Sequence, residues 1–182
     1  MIRAELDAIA NKISHEIYVV KDIIAKPDIK IVNELKSIAN ESIQKKSRLL
    51  LHQNKEDSLH QMIIVHSKAQ YIRPHKNIVS AKSWQVVEGK LAFLCFSEEG
   101  ELINHTFMSS LSKGDAFIVR LSESFYHTLI PLTDKTVIVE TILGPFNGTT
   151  YASWAPAETE TIKADNYLKF YCQQIGIDFN NF

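Results

Sequence analysis

The spacing of apolar residues along the chain changes near residue 46 from a helical to a strand-like period. Asp28, after Pro27, is placed to cap a helix, because its carboxylate can accept hydrogen bonds from first-turn amides. A short strand is predicted for the segment EIYVV, which lies between two helical stripes. These stripes are Ile2, Leu6, Ile9, Ala10 and Ile13, and then Ile31, Val32, Leu35, Ile38 and Ala39.

From residue 46 onward the chain contains nine short runs rich in β-branched and aromatic residues. Turn signals such as EGK, SEEGE, SKGD and LTDK separate these runs. No helical pattern alternates with them, which disfavours a dinucleotide-binding fold and favours an antiparallel sandwich or barrel over residues 46–145. The nine runs are SRLLLH, LHQMIIVH, QYIRPH, SWQVVEG, KLAFLCF, ELINHTFM, DAFIVRL, YHTLI and TVIVETIL.

A third helical pattern lies near the end of the chain, in the segment ADNYLKFYCQQIG. Gly176 is placed to end this helix. Before it comes the loop GPFNGTTYASWAPAE, in which Trp154 is expected to anchor the loop against the barrel. The apolar face of the helix is formed by Tyr167, Leu168, Tyr171 and Ile175.

The length of 182 residues suits one compact domain, because a domain of this size buries about 70% of its unfolded surface. We divide it into an N-terminal extension (1–45), a barrel with its closing loop (46–158) and a C-terminal helix (159–182). Cys95 and Cys172 form neither a disulfide framework nor a zinc spacing, and both are expected to be core thiols.

The charge balance argues against nucleic acid as a partner. Twenty Lys and Arg face 21 Asp and Glu, and no basic run stands out. The first residues carry acidic groups and no continuous apolar region, and no later apolar run approaches the roughly 20 residues that cross a bilayer. We therefore expect a cytoplasmic protein with no membrane partner.

Two of the seven histidines are candidates for a ligand or metal site. His75 follows Pro74 at the end of one predicted strand, and His127 begins another about 50 residues later. Small barrels hold ligands in their mouths through side chains from facing strands, and neutral imidazole is the commonest metal ligand. The other five histidines, His15, His52, His60, His66 and His105, are expected to be exposed or hydrogen-bonded strand residues.

The segment HKNIVSAKSWQVVEG matches the spacing H-x-H-x(3,4)-E-x(6)-G of the first cupin motif, through His75, Asn77, Lys82 and Gly89. The segment SESFYH resembles the second motif, with His127 in place of its histidine. The chain thus resembles the cupin superfamily. This resemblance implies a mainly β fold, a cupin-type antiparallel β-barrel or jelly roll, with N-terminal helices and a C-terminal helix.

Within that superfamily the chain resembles the cupin-fold metalloproteins of the WbuC type over roughly residues 28–158. SRLLLH, LHQM, YIRPH and especially GPFNGTTYASWAPAE carry this likeness. The resemblance implies a divalent metal (Zn, Fe, Mn or Ni) at the barrel mouth. It also implies a role in bacterial surface-polysaccharide (O-antigen or capsule) sugar metabolism.

The predicted metal ligands are His75, Asn77 and His127, and the set departs from that family at two positions. Relatives carry His at the position of Asn77 and Glu at that of Lys82. An amide offers only a neutral carbonyl oxygen, and a protonated Lys82 would repel a dication. We therefore expect the metal to be weakly bound or absent.

Three interpretations follow, and whether the protein is an enzyme stays open. A divalent metal is still held weakly, with the family role retained. Alternatively, Lys82 replaces the metal as a fixed positive charge, and the barrel binds an anionic or sugar-derived small molecule in an isomerase-like site with His75 or His127 transferring protons. In the third, the barrel is an inactive structural or regulatory relative. The catalytic candidates are accordingly His75, His127 and Lys82.

Four further residues are candidates for ligand binding. Trp84 and Gln85 alternate along one predicted strand, so one of the two faces the barrel interior. Arg73 and Tyr126 flank the two histidines, and the planar fork of arginine suits a phosphate or carboxylate. The extra terminal elements and exposed barrel faces favour a homodimer.

Overall fold

A computed structural model of the chain describes residues 3–78 and 81–179. Within these residues the structure is mainly β, with three helices: α1 (Ala4–Ile9), α2 (Ile29–Glu41) and α3 (Thr161–Gln174). The strands are β1 (Ala10–Lys12), β2 (Ile17–Val20), β3 (Lys46–Leu50), β4 (Leu59–Ser67), β5 (His75–Asn77), β6 (Lys82–Glu88), β7 (Lys90–Phe96), β8 (Leu102–Ser109), β9 (Ile118–Leu121), β10 (Tyr126–Pro131), β11 (Lys135–Leu143) and β12 (Thr149–Tyr151).

The strands form two sheets. The larger has the order β1-β2-β3-β4-β11-β6-β9, and the smaller has the order β12-β5-β10-β7-β8. Between β4 and β11 the chain changes sheet at every connection except the β7–β8 hairpin, which gives the strand order of a jelly roll. The predicted fold class, a mainly antiparallel jelly roll with terminal helices, is confirmed. The parallel pairing of β2 with β3 joins the N-terminal extension to the barrel.

Three sequence predictions of local structure need correction. The first helix ends at Ile9, because the following residues pair as β1 with β2 (Ala10 opposite Val20), and its predicted first member, Ile2, lies outside the described residues. The strand predicted at QYIRPH begins only at His75, since Pro74 has no amide hydrogen for a ladder. The closing loop contains β12, which the sequence did not indicate.

Helix α2 covers the outer face of the larger sheet. Asp28 caps it as predicted, accepting hydrogen bonds from the amides of Lys30 (2.9 Å) and Ile31 (3.2 Å). The buried hydroxyl of Ser47 on β3 donates to the Leu35 carbonyl oxygen at 2.7 Å, which joins helix and sheet. The apolar cluster beneath the helix includes Leu6, Ile31, Leu35, Ile38, Leu49, Val65 and Val137.

Helix α3 covers the outer face of the smaller sheet together with the closing loop. Trp154 lies where the sequence predicts, with its indole donating to the Glu98 carbonyl oxygen at 2.9 Å. Gly100 has φ +91, and a Cβ there would lie 2.7 Å from the Trp154 ring, so both conformation and space require glycine. The cluster includes Leu94, Phe96, Tyr126, Leu168, Tyr171, Cys172 and Ile175.

A third apolar cluster lies between the two sheets and leaves part of that space as a cavity. Its buried members include Trp84, Val86, Leu91, Phe93, Cys95, Met108, Leu129 and Ile138. Both cysteines are buried and free, as expected. None of the helices in the described part of the chain has the length and apolar character needed to span a bilayer.

Candidate functional site

The cavity between the sheets has a volume of about 550 Å³, which is in the range of small-molecule sites. One wall comes from β3, β4, β11 and β6 of the larger sheet, and the facing wall comes from β5 and β10. Strand β12 pairs with β5 and brings the closing loop to the rim. The jelly roll therefore presents the inward side chains of six strands to one enclosed space.

Lys82 lies at the centre of the polar cluster in this cavity. Its Nζ donates to Asn77 Oδ1 at 3.3 Å and lies 3.4 Å from His127 Nε2 and 3.2 Å from Glu140 Oε2. His75 and His127 are register partners in β5 and β10, with ring centroids 4.7 Å apart. The structure thus brings together His75, Asn77, Lys82 and His127, and it adds the Glu140 carboxylate.

The two histidines of this cluster present their Nε2 atoms as acceptors. Each ring has Nδ1 at 2.9 Å from a backbone carbonyl oxygen, that of Arg73 for His75 and that of Phe125 for His127. A carbonyl oxygen only accepts, so Nδ1 carries the hydrogen and Nε2 the lone pair. His127 Nε2 accepts from Lys82, whereas His75 Nε2 has no hydrogen-bond partner among the described residues and could accept a proton or a ligand hydroxyl.

Both imidazoles are held in the neutral form. Burial, with the nearby Lys82 ammonium as the second cause, lowers the pKa of His75 to about 4. Burial and then Lys82 and His75 lower the pKa of His127 well below its ordinary value. Neither imidazole therefore adds a second positive charge beside the Lys82 ammonium.

Glu140 is the residue of this cluster that the sequence interpretation missed. It lies on β11 opposite Trp84, and the Trp84 indole donates to its Oε2 at 2.6 Å. Burial opposes its ionisation, but Lys82, Arg48 and the Trp84 hydrogen bond hold its pKa below the ordinary value. In TVIVETIL, Glu140 alternates in step with the apolar residues Ile138 and Ile142, so all three should face the same side of the strand. This alternation could have predicted that the Glu140 carboxylate points inward.

These residues do not fit the divalent metal that the cupin resemblance implies. No group of three His, Cys, Asp or Glu able to hold a metal is present in residues 3–78 and 81–179. Two of the three predicted ligand atoms, Asn77 Oδ1 and His127 Nε2, already face the Lys82 ammonium. A dication at those atoms would meet a positive charge at contact distance, which disfavours its binding there.

The other end of the cavity carries cations without such partners. Arg48 and Lys46 point inward from β3, and their side chains form no hydrogen bond or ion pair with any described residue. His66 is next to them on β4, with Nδ1 donating to Gln70 Oε1 at 2.8 Å. Burial is the main cause that lowers the pKa of His66 to about 4, so this imidazole is also neutral.

Two more histidines line the cavity near the loop between β3 and β4. His52 and His60 stack with ring centroids 4.0 Å apart and an interplanar angle of 13°. His52 Nδ1 lies 3.1 Å from the Gln61 carbonyl oxygen, and His60 Nε2 lies 3.1 Å from that of Lys55. As expected, they are hydrogen-bonded histidines, and their parallel rings do not converge on a common point.

The four predicted ligand-binding residues are distributed over different surfaces. Trp84 is buried and lines the cavity. Gln85 is exposed, because adjacent strand residues face opposite ways, and this corrects its assignment to the cavity. Tyr126 is also corrected: it lies behind the smaller sheet, its ring 5.6 Å from that of Trp154. Arg73 does not line the cavity: its Nη2 donates to the Ala152 carbonyl oxygen at 2.8 Å, and its guanidinium lies over the Tyr151 ring.

A family model described as a domain of unknown function (DUF6016) matches residues 28–108. This segment contains α2, β3 to β7 and β8 up to Met108, with all four positions of the first motif (His75, Asn77, Lys82 and Gly89), but neither His127 nor Glu140. No curated protein matches the sequence.

Solved structures with similar folds include an oxalate oxidase in complex with the substrate analogue glycolate, at 9% identity and TM-score 0.47, covering 74% of each chain. A structure of DMSP lyases matches at 11% identity and TM-score 0.47, covering 60% of this chain and 53% of that one. Procruciferin, an 11S globulin from Brassica napus, matches at 10% identity and TM-score 0.44, covering 52% and 23%. The chain thus spans about half or less of the last two. All three TM-scores are below 0.5, so the jelly-roll assignment rests on the strand order alone.

Proposed function

We propose that this protein is a metal-free, cupin-type small-molecule-binding protein in which the Lys82 ammonium replaces the divalent metal. The observation that carries this proposal is the position of Lys82 Nζ among an amide oxygen, an imidazole nitrogen and a carboxylate, all within 3.4 Å. A built-in cation supplies one positive charge where a divalent metal would supply two, and it is present whether or not metal is available.

The remainder of the cavity supports the binding of a small polar molecule. Its walls combine aromatic and aliphatic side chains with a few converging polar groups, which is typical of ligand sites. His75 Nε2 is a free acceptor facing this space, and Tyr151 on β12 lies beside it, with ring centroids 6.1 Å apart. A hydroxyl-bearing ligand would find both an acceptor and an apolar surface.

We extend the proposal to the biological setting that the sequence resemblance implies. A protein of the WbuC type would act in the cytoplasm on sugar-derived molecules for bacterial surface polysaccharides. It would work there as a homodimer. The support for this setting is the likeness of GPFNGTTYASWAPAE and the flanking segments to that family, together with a cavity of suitable size.

Metal analysis and titration of the natural protein beside the double variant Asn77→His/Lys82→Glu test the proposal. The natural protein is expected to contain no stoichiometric metal and to show no change in melting temperature with Zn²⁺, Mn²⁺, Fe²⁺ or Ni²⁺. The double variant gains an imidazole and a carboxylate and loses the ammonium, so it should bind one metal ion and melt at a higher temperature with it.

A matched control carries the same exchange at exposed positions, Asn11→His/Lys12→Glu. These two neighbours on β1 face opposite ways and cannot chelate one ion. A tightly held, stoichiometric metal in the natural protein would overturn the proposal. Failure of the Asn77→His/Lys82→Glu variant alone to bind metal would instead favour an inactive barrel whose pocket has diverged beyond the two positions.

A further inference from the structure

We infer that the Arg48 end of the cavity is a subsite for a carboxylate or phosphate group, so that the ligand is a polyhydroxylated anion such as a sugar acid or a sugar phosphate. This inference rests on the proposed ligand-binding function and adds the class of ligand. It is carried by Arg48 and Lys46, two cationic side chains of β3 that the metal motifs do not include.

The register of the larger sheet places these cations on the inner wall. Lys46 is opposite His66, and Arg48 is opposite Ile64, which is itself opposite Ile138 on β11. Ser47 and Leu49, of the other parity, face α2 instead. Arg48 is thus two strands from β11, the strand of Glu140, or about 10 Å at the usual strand spacing.

Among the described residues Arg48 and Lys46 have no carboxylate at ion-pair distance, and Glu140 and Glu158 act on them only from farther away. The cavity carries four cationic side chains against two carboxylates, those of Glu140 and Glu158. Glu140 is engaged by Lys82 and Trp84. Glu158 is exposed at the rim and forms no ion pair within 4.0 Å of Arg48 or Lys46 in the described part of the chain.

The two adjacent cations also lie in a partly desolvated position. Burial is the main cause that lowers the pKa of Lys46; the Glu158 carboxylate raises it in part, and Arg48 lowers it. A bound anion would relieve this like-charge pair and could accept two parallel hydrogen bonds from the guanidinium fork. An oxyanion is therefore the group that this end of the cavity would recognise.

The hydroxyl part of the ligand follows from the orientation of two imidazole rings. His66 and His75 both have Nδ1 fixed by a protein oxygen, which leaves Nε2 as an acceptor. Neutral acceptors suit hydroxyl donors, whereas a second anion would find no donor there. An anionic head at Arg48 with hydroxyls along its body matches both sets of groups.

Titration calorimetry with matched pairs of probes tests the inference. D-glucuronate, D-galacturonate and D-mannuronate are compared with D-glucose, D-galactose and D-mannose, and the corresponding hexose 6-phosphates separate carboxylate from phosphate. At least one anion should bind about tenfold or more tightly than its neutral parent, with affinity falling as salt rises. Fluorescence of Trp84, in a Trp154→Phe background, provides a second readout at the cavity.

Arg48→Gln should reduce the affinity for the anion by about 10- to 100-fold and leave neutral hexoses unaffected, while Arg48→Lys should lose less because charge remains without the fork. Arg120→Gln, an exposed arginine on β9, is the matched control and should change nothing. The inference would be overturned if anions and their neutral parents bound with equal affinity, if Arg48→Gln bound the anion as tightly as the natural protein, or if no anion bound at all. The proposed function is judged separately, by the metal analysis.

Discussion

Lys82 and Arg48 are cations on the same wall of one cavity, and their surroundings differ. Lys82 is buried and has an acceptor at each of three positions around Nζ. Arg48 is half-buried and has none among the described residues. A fully buried charge persists only when it is paired, whereas a partly hydrated one can remain unpaired. The Lys82 end is thus a fixed part of the structure, and the Arg48 end has capacity left for a ligand.

The largest loss of stability should come from removing the Lys82 ammonium, whose charge is paired. Lys82→Met leaves the Glu140 carboxylate buried with Trp84 as its remaining partner, and we expect a loss of about 3–5 kcal/mol in the free energy of unfolding. Urea denaturation measures it. Since removal of both charges leaves no buried ion, Lys82→Met/Glu140→Gln should recover most of the loss. Equal stability of the single variant and the natural protein would show that Glu140 is solvated.

A smaller loss of stability should come from lowering the pH. The pKa of His66 is about 4 in the folded protein and about 6.5 in an unfolded chain. The unfolded state therefore binds the proton first, so the contribution of His66 is fully present above pH about 6.5 and is lost as pH falls toward 4, on the order of 3 kcal/mol. Denaturant unfolding across this range measures it.

His66→Asn is the variant that isolates this contribution. Its amide can still donate to Gln70, but it does not titrate. The decline of stability with falling pH should become shallower, without vanishing, because the lowered pKa values of His75 and His127 act in the same direction. An unchanged slope would mean that His66 is accessible to water at the Arg48 end.

The smallest change in stability should come from replacing Arg48. Arg48→Met keeps the apolar stem and removes a charge that has no hydrogen bond or contact ion pair, only the longer-range attraction of Glu140, so the free energy of unfolding should change by no more than about 0.5 kcal/mol. The same denaturation experiment measures it beside Lys82→Met. A loss as large as that of Lys82→Met would show that Arg48 is paired in solution, and the contrast between the two ends would disappear.

Sequence reasoning worked where the signal was local. The strands, the Asp28 cap and the spacing from His75 to Lys82 depend on neighbours a few residues apart. Alternation also divided Trp84 from Gln85 correctly, but it left open which of them faces inward. A one-residue change of register exchanges the two faces of a strand, so that choice needs the sheet itself.

The partners of Lys82 and the isolation of Arg48 could not be predicted in this way. Glu140 is separated from Lys82 by more than fifty residues, and it meets the lysine because β6 pairs with β11. Arg48 looked like any polar residue of an alternating strand. Whether Arg48 has a hydrogen-bond or ion-pair partner depends on how all the strands around the cavity are arranged. A local sequence pattern does not contain that information.

The pairing of β4 with β11 has a consequence for the synthesis of the protein. These strands, at the centre of the larger sheet, join residues 59–67 to residues 135–143. Contacts so distant in sequence form slowly, and none can form before the ribosome has added the second strand. A chain interrupted after residue 108 would have β4 without β11, and Lys82 without His127 or Glu140. The nascent chain must therefore carry β4 without its β11 partner while the 67 residues between the two strands are added, a period in which aggregation competes with folding.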